Sequence, residues 1–497
     1  MSIKWGYSPK IEKHIPLNDV PIEEYLIIAQ QAIANLGWSV SRVSERGIIA
    51  YTPISLQSYS EEISIKIEKK SVLFRSECVG IQMLFNDYGK NAQNLELFVS
   101  EFGYARAQMD GDFNQLQVDR LVEDADFFEK TPLSAKQKIQ NVFYLLIPQE
   151  NYVATPILIF LNVAYFAMYT VFMVLFFRYL EAANVLNSER LGFYFGANSR
   201  EFVLNGQFWR LITHQFAHWS FFHLFFNMYA LAYIGLLVEH VLGFKKYVIT
   251  YLISGICGGL MSLAFHESGY MTGASGAIMG LFGAFLAILV SKAFEKNATR
   301  ALLISTVAVL AIMLINGSLN KSVDNAAHIG GLVSGFVICY VLYNDRLWKW
   351  CLSPAVRYVL VGCFTFVFAI GIVQLTPRLQ TKEFLALEKT YYRNWKTYNT
   401  IFKLPPAMAT GKKLIIVQER GIDLWKKNEA IVKQMLNLQL SKEQRFKAEF
   451  HLKVARIELR MAVLLYKECA ESTKYYRREM RELTRQLNSL RIETVED

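Results

Sequence analysis

Apolar and polar positions divide the chain into three stretches of different character. Seven apolar runs occupy its middle, at about 155–177, 220–239, 246–265, 275–291, 300–316, 326–343 and 357–376. Each is near the roughly 20 residues that a helix needs to cross a bilayer. Ahead of them the pattern is that of a small α+β domain, residues 1–110. Ile22, Tyr25, Leu26, Ala29, Ile33 and Leu36 recur at helical spacing, and Gly37 ends that helix. Strand-like runs follow at 38–44, 47–53, 62–68 and 71–79. Ile63, Ile65 and Ile67 alternate with polar residues, as do Val72, Phe74 and Cys78, which predicts a hairpin turning at Lys69-Lys70. A second helix is expected from Ala92 to Ala107. Residues 111–150 read as a linker with one juxtamembrane helix. Behind the apolar runs, residues 377–497 are polar and helical. Pro405-Pro406 divides a helix at 380–403 from a longer remainder, in which Leu452, Ala455, Ile457, Leu459, Ala462 and Leu465 suggest a hairpin or short bundle.

Composition agrees with this division. Of 497 residues 53% are hydrophobic and 14% aromatic, and the mean hydropathy is +0.20, too apolar for an ordinary soluble protein of this length. The fold class is therefore mainly α: a polytopic membrane helix bundle carrying a small N-terminal α+β domain and a C-terminal helical domain. Met1 to Ile15 is polar and lacks the apolar core of a signal peptide, so the first apolar run is expected to remain as an anchor. The six cysteines are scattered and show no disulfide framework or metal-ligand spacing.

Charge orients the bundle. Lys245 and Lys246 follow the second run, Lys292, Lys296 and Arg300 the fourth, and Arg346, Lys349 and Arg357 the sixth. On the opposite side 266–274 has no Lys or Arg, and 317–325 has only Lys321 beside Asp324. The positive-inside rule places the N-terminal domain in the cytoplasm, with the loop 178–219 and everything after 376 outside. The expected setting is a bacterial cytoplasmic membrane. Residues 377–497 carry 25 Lys+Arg against 15 Asp+Glu, an excess equal to the whole chain's formal charge of +10. Such a face is commonly just solvated, but beside a membrane it can also meet anionic headgroups or an acidic partner. Its extracytoplasmic place argues against nucleic acid.

The second, fourth and sixth runs all enter from the outer side. His223 and Asn227 lie in the first turns of the second, Ser275 opens the fourth and His328 opens the sixth, so all four fall at similar depth. Gly276 and Gly280 form one face of small residues, Gly331 and Gly335 another. Packed together, these faces would bring the Ser275 hydroxyl within reach of the His328 ring. A serine becomes a nucleophile when a base takes its proton, and a histidine titrates near neutrality. His223 and Asn227, four apart, share a helix face and can donate N–H groups to an oxyanion, as can the Ser275 backbone. The same residues could instead make interhelical hydrogen bonds that only stabilise a bundle.

Other chemistries fit the residues less well. His266-Glu267 is followed by Ser268-Gly269-Tyr270, not the His-Glu-x-x-His of a zinc protease. His214, His218 and His223 straddle a loop–helix boundary without a carboxylate or thiolate partner. The apolar runs lack paired aspartates, and Ala277 breaks the Gly-x-Ser-x-Gly elbow of an α/β-hydrolase. A transporter would be expected to carry internal charge pairs, and no run has one.

Four motifs, in order, resemble those of the rhomboid family of intramembrane serine proteases. Gly273-Ala274-Ser275-Gly276 is similar to the nucleophile motif. Ala327-His328-Ile329-Gly330-Gly331 with Gly335 resembles Ala-His-x-x-Gly-x-x-x-Gly. His218, His223 and Asn227 match His-x-x-x-x-His-x-x-x-Asn, and Trp209-Arg210 resembles the pair in the family's long first loop. The resemblance covers about 150–345. It implies a six-helix core at 151–345, with 346–376 as an added seventh helix. It implies Ser275 as nucleophile and His328 as general base, with His223, Asn227 and the Ser275 N–H as oxyanion hole. His218, Trp209, Arg210, Glu239, Gly273, Gly276, Gly331 and Gly335 would be structural. Phe226 would lie near a lateral gate, and 317–325 would cap the site. The implied substrate is a single-span membrane protein cut near its membrane entry at a small residue, without metal or cofactor. Met279 departs from the aromatic residue on which the catalytic histidine often stacks, so His328 is expected to be held more loosely. The alternative within the family is a catalytically silent protein that binds transmembrane clients.

Overall fold

A computed structural model describes residues 10–17, 20–54, 60–79, 89–108, 145–182, 196–267, 269–291, 294, 296–320, 323–343, 353–405 and 407–496. The expected juxtamembrane helix falls mostly on 109–144, outside the described residues, as do Lys292, Lys321, Arg346 and Lys349. The chain divides into two compact units, Met1–Val373 and Gln374–Asp497.

The first unit begins with an antiparallel five-stranded sheet and two helices. The elements are β1 (Lys10–Pro16), α1 (Ile22–Asn35), β2 (Ser39–Ser44), β3 (Gly47–Tyr51), β4 (Glu61–Ile67), β5 (Ser71–Cys78) and α2 (Lys90–Gln108). Strand order is β1-β5-β4-β3-β2. Alternation works as expected in the central hairpin: Ile63, Ile65, Val72 and Phe74 are fully buried against α1 and α2. Ile67 pairs with Val72, and the Glu68 N–H donates to the Ser71 carbonyl, closing the turn at Lys69-Lys70. Gly37, at φ 69°, ends α1, and the Trp38 N–H reaches back to the Ile33 carbonyl. Strand β1 was not expected. It is an edge strand, paired only with β5 and largely exposed, so burial imposed no apolar run on it. Ile49, Tyr51 and Val79 belong to the same buried cluster as Leu145, Tyr152 and the first residues of the helix bundle.

That bundle contains α3 (Ala154–Ala182), α4 (Arg200–Leu204), α5 (Arg210–Thr213), α6 (Phe221–Phe265), α7 (Ser275–Val290), α8 (Lys296–Leu319), α9 (Asn325–Tyr343) and α10 (Pro354–Leu375). Five described helices are long and apolar enough to cross a membrane, and α7 is a shorter apolar helix. The chain is an integral, multi-pass membrane protein. The second and third apolar runs do not flank a loop, as the lysine pair had suggested. They are two arms of α6, broken only at Gly243, where φ is 70°. A Cβ on Gly235 would stand 2.9 Å from the Tyr247 hydroxyl. A straight helix would hold these residues about 18 Å apart, so the chain doubles back at Gly243. Lys245 and Lys246 already belong to the second arm. Glycine permits this because it adopts positive φ without a Cβ clash.

Helices α7 and α9 and the second arm of α6 form the innermost packing. A Cβ on Gly331 would collide with the Gly276 carbonyl oxygen, and one on Gly335 with that of Gly280. Gly258, in the second arm, faces the Ala327 carbonyl oxygen, 2.7 Å from where its Cβ would be. Helix α7 has 16 residues. At 1.5 Å per residue it is about 24 Å long, short of the ~30 Å hydrocarbon core. It is therefore too short to span that core end to end.

The second unit contains α11 (Thr381–Tyr398), a 3-10 turn (Asn399–Lys403), α12 (Thr410–Val417), α13 (Asp423–Leu436), α14 (Lys442–Ala470) and α15 (Arg477–Glu496). The first helix ends at Tyr398, earlier than the prolines required, because the chain tightens into the 3-10 turn. Trp425, Tyr391, Tyr398, Met435, Ala448 and Ala455 form its core. Ser441 and Gln444 form a reciprocal capping box at the start of α14.

Candidate active site

The site is assembled from the ends of helices. Ser275 is the first residue of α7, and His328 lies in the first turn of α9. His223 and Asn227 lie in the first two turns of α6, which is N-capped by the Ser220 hydroxyl accepting from the His223 N–H at 3.2 Å. All four line one cavity of about 660 Å³. Glycine packing of α7 on α9 is what holds their two N-termini side by side.

The turn before Ser275 is fixed from several directions. Gly273 has φ +117°, and a Cβ there would stand 2.8 Å from the His223 ring. Both backbone and space exclude a side chain. The Gly273 N–H donates to the His214 carbonyl at 2.9 Å, and Asn198 and Met271 exchange backbone bonds of 2.9 and 2.8 Å. His218 holds the next residue. Burial pushes its pKa down to about 3, and the charge of His223 acts in the same direction. It is therefore neutral. Its Nδ1 faces the Phe216 carbonyl at 3.2 Å, and its Nε2 takes the Ala274 N–H at 3.5 Å. This assigns Nδ1 as the protonated nitrogen.

Asn227 Nδ2 donates to the His223 carbonyl at 2.9 Å. A primary amide has two N–H groups, so one remains free. Asn227 Nδ2 also faces Gly273, 3.9 Å from where a Cβ would be. His328 is 6% exposed, and its Nδ1 is buried without a hydrogen-bond partner. Met279 is fully buried within α7. Phe226 lines the cavity and is 64% exposed. Of the expected cap, Val323 and Asp324 line the cavity, while 321–322 lie outside the described residues.

The remaining expected residues support the frame. Arg210 is 1% exposed. Its guanidinium donates to the Ala197 carbonyl at 2.8 Å and to Gln207 Oε1 at 2.7 Å, and covers the rings of Phe202 and Trp209. Glu239 lies at the far end of the first α6 arm and caps α3. Its carboxylate accepts the N–H groups of Val153, Ala154 and Thr155 at 2.6, 2.5 and 2.9 Å, and the Thr155 hydroxyl at 2.7 Å.

Two features escaped sequence reasoning. Asp324 caps α9: its Oδ1 accepts the Ala327 N–H at 2.9 Å, and its Oδ2 accepts the Ser262 hydroxyl. His266 Nδ1 lies 3.6 Å from Oδ1. An aspartate just before an apolar run is a legible N-cap signal. Gly255, Gly258 and Gly259 admit Gln215, Ala327 and His214 to the second α6 arm. The cluster was visible in sequence, but its partners were not.

Comparison with known proteins fits this architecture. Residues 205–345 match the Rhomboid domain. The chain is 32% identical over 203 residues to Rhomboid-like protease 1 of Toxoplasma gondii, covering 38% of this chain and 67% of that one. It is 40% identical over 133 residues to RHOMBOID-like protein 1 of Arabidopsis thaliana, covering 27% and 34%. It is 37% identical over 143 residues to Rhomboid protease GluP of Bacillus subtilis, covering 29% and 27%. The chain belongs to the rhomboid family. The match spans about a third to a half of the plant relatives' length.

Proposed function

We propose that the chain is an intramembrane serine endopeptidase. The observation that carries this is the convergence of Ser275, His328, His223 and Asn227 on one cavity at the N-terminus of a short apolar helix. The names of two relatives, a Rhomboid protease and a Rhomboid-like protease, support the same reading.

His328 takes the Ser275 proton as Oγ attacks the scissile carbonyl. The negative charge that forms on the carbonyl oxygen is met by the Ser275 N–H, Asn227 Nδ2 and the His223 ring. Collapse of the intermediate breaks the peptide C–N bond, and the imidazolium returns the proton to the leaving amine. Water then attacks the ester, with His328 again as base. The substrate is a single-span membrane protein, which enters past Phe226. The positive-inside pattern supports a cut near the outer face, with the N-terminal domain in the cytoplasm and the C-terminal unit outside.

Cleavage of a single-span model substrate by the reconstituted protein tests this, beside Ser275→Ala and His328→Ala. Cleavage lost in both variants is expected, together with fluorophosphonate labelling of wild type but not of Ser275→Ala. Equal cleavage in all three proteins would discard these residues as the nucleophile and base. Neither cleavage nor labelling by folded wild type would leave a client-binding protein.

A further inference from the structure

The C-terminal unit spreads its charge unevenly. From Lys389 to Gln418 it carries six bases, Lys389, Arg393, Lys396, Lys403, Lys412 and Lys413, and no acid. Five of these are exposed and Lys413 is half-buried. None forms an ion pair with a described residue. Elsewhere in the unit acids are interspersed with the bases, and some of the bases pair with them: Lys433 with Glu429, Lys447 with Glu388, Arg460 with Glu479 and Arg477 with Glu468.

The unmatched surface also exposes apolar side chains. Leu385, Lys389, Tyr392 and Lys396 recur at helical spacing and are all exposed, so they share one face of α11. The 3-10 turn continues it with Phe402 and Lys403. Ile401 of that turn packs on Gly421, and Arg420 donates to the Thr400 hydroxyl at 3.4 Å. This brings the turn beside the end of α12, which carries Lys412 and Ile415. Phe402 is 61% exposed and Ile415 58%.

Bases interleaved with exposed aliphatic and aromatic side chains match one kind of surface. A soluble polyanion would satisfy the bases but leave Leu385 and Ile415 in water. A lipid interface takes both, phosphates at the bases and the acyl boundary at the apolar side chains. Only residues 376–380 separate this unit from the membrane helix α10. At about 3.4 Å per extended residue the link is roughly 20 Å at most, so the start of α11 is tethered within that distance of the end of α10.

We propose that the face formed by α11, the Asn399–Lys403 turn and α12 docks on an anionic lipid surface. The proposal requires membrane insertion of α10 and is independent of the protease reading.

Hydrogen exchange of segment 399–417 tests it, using the full chain in nanodiscs of phosphatidylcholine alone or enriched in phosphatidylglycerol. Exchange is expected to slow several-fold in the anionic discs, and high salt is expected to reverse this. Each base neutralised should weaken docking about fivefold, so K403Q/K412Q/K413Q should exchange alike in both discs. F402S/I415S should lose protection while the bases remain. Unchanged exchange across Lys442–Ala470 confirms that each variant is folded. Equal exchange of wild type in the two lipids would overturn the proposal. So would protection retained in the triple lysine variant, or protection that only a soluble acidic protein produces.

Discussion

Gly331 of α9 lies so close to Gly276 of α7 that a Cβ on Gly331 would collide with the Gly276 carbonyl oxygen. The reverse does not hold: a Cβ on Gly276 would find its nearest neighbour, the Ala327 carbonyl oxygen, at 3.6 Å. The two glycines of one contact should therefore respond differently. Gly331→Ala forces the helices apart and is expected to cost about 1–3 kcal/mol, with loss of Ser275 labelling. Gly276→Ala makes ordinary contact and should fold with near wild-type stability. Thermal unfolding in detergent distinguishes them, and equal destabilisation would refute the packing described.

Asp324 caps the turn of α9 that carries His328, whose N–H donates to the Asp324 carbonyl at 3.1 Å. Asp324→Ala removes the N-cap and the tie to Ser262, and is expected to cost about 0.5–2 kcal/mol. It should also lower cleavage by loosening the turn that carries His328. Asp324→Asn keeps a capping side chain and should recover most of the stability. If Asn proved as damaging as Ala, the carboxylate charge, not the cap, would be what matters.

In the proposed mechanism Asn227 meets the oxyanion of the transition state and does not bind the ground state. Asn227→Ala removes a neutral donor without touching Ser275 or His328. The expected result is a fall in kcat of about 10²–10³ with little change in KM. An unchanged kcat would remove Asn227 from the oxyanion hole.

Glu239 holds the start of α3 through four hydrogen bonds. Truncation to alanine would leave buried backbone donors unpaired, each worth about 1–3 kcal/mol. Glu239→Ala should lower the Tm of the first unit sharply. Hydrogen exchange at residues 153–158 should rise before global unfolding, and its absence would mean that α3 is anchored elsewhere.

His451 gives the C-terminal unit a pH dependence. Burial lowers its pKa, partly offset by Glu388 at 3.3 Å, which also pairs with Lys447 at 2.7 Å. The unfolded chain binds this proton more readily than the folded one. The stabilisation is complete above about pH 6.5, the ordinary histidine value, and is lost as pH falls through the folded value. Protection across α14, corrected for the intrinsic exchange rate at each pH, should therefore fall on acidification. His451→Gln should flatten that response, and an equally steep response in the variant would assign it to other groups.

The sequence alone determined what local periodicity and hydropathy control. The seven apolar runs, the Lys69-Lys70 hairpin and the glycine faces of α7 and α9 were legible because burial in lipid or in a small core permits few residue types. That Ser275, His328, His223 and Asn227 open helices was legible from their places at the starts of apolar runs, and the structure puts them on one cavity. Residues whose environment is made by distant chain were not. Strand β1 is polar because only β5 defines it. Gly243 reverses the chain in one residue, which hydropathy cannot distinguish from a loop. Asp324 gains meaning from Ser262 and His266, and Glu239 from the start of α3. Only the tertiary structure decided these, because a hydrogen bond or a backbone collision is fixed by positions in space, whereas periodicity records only which face is buried.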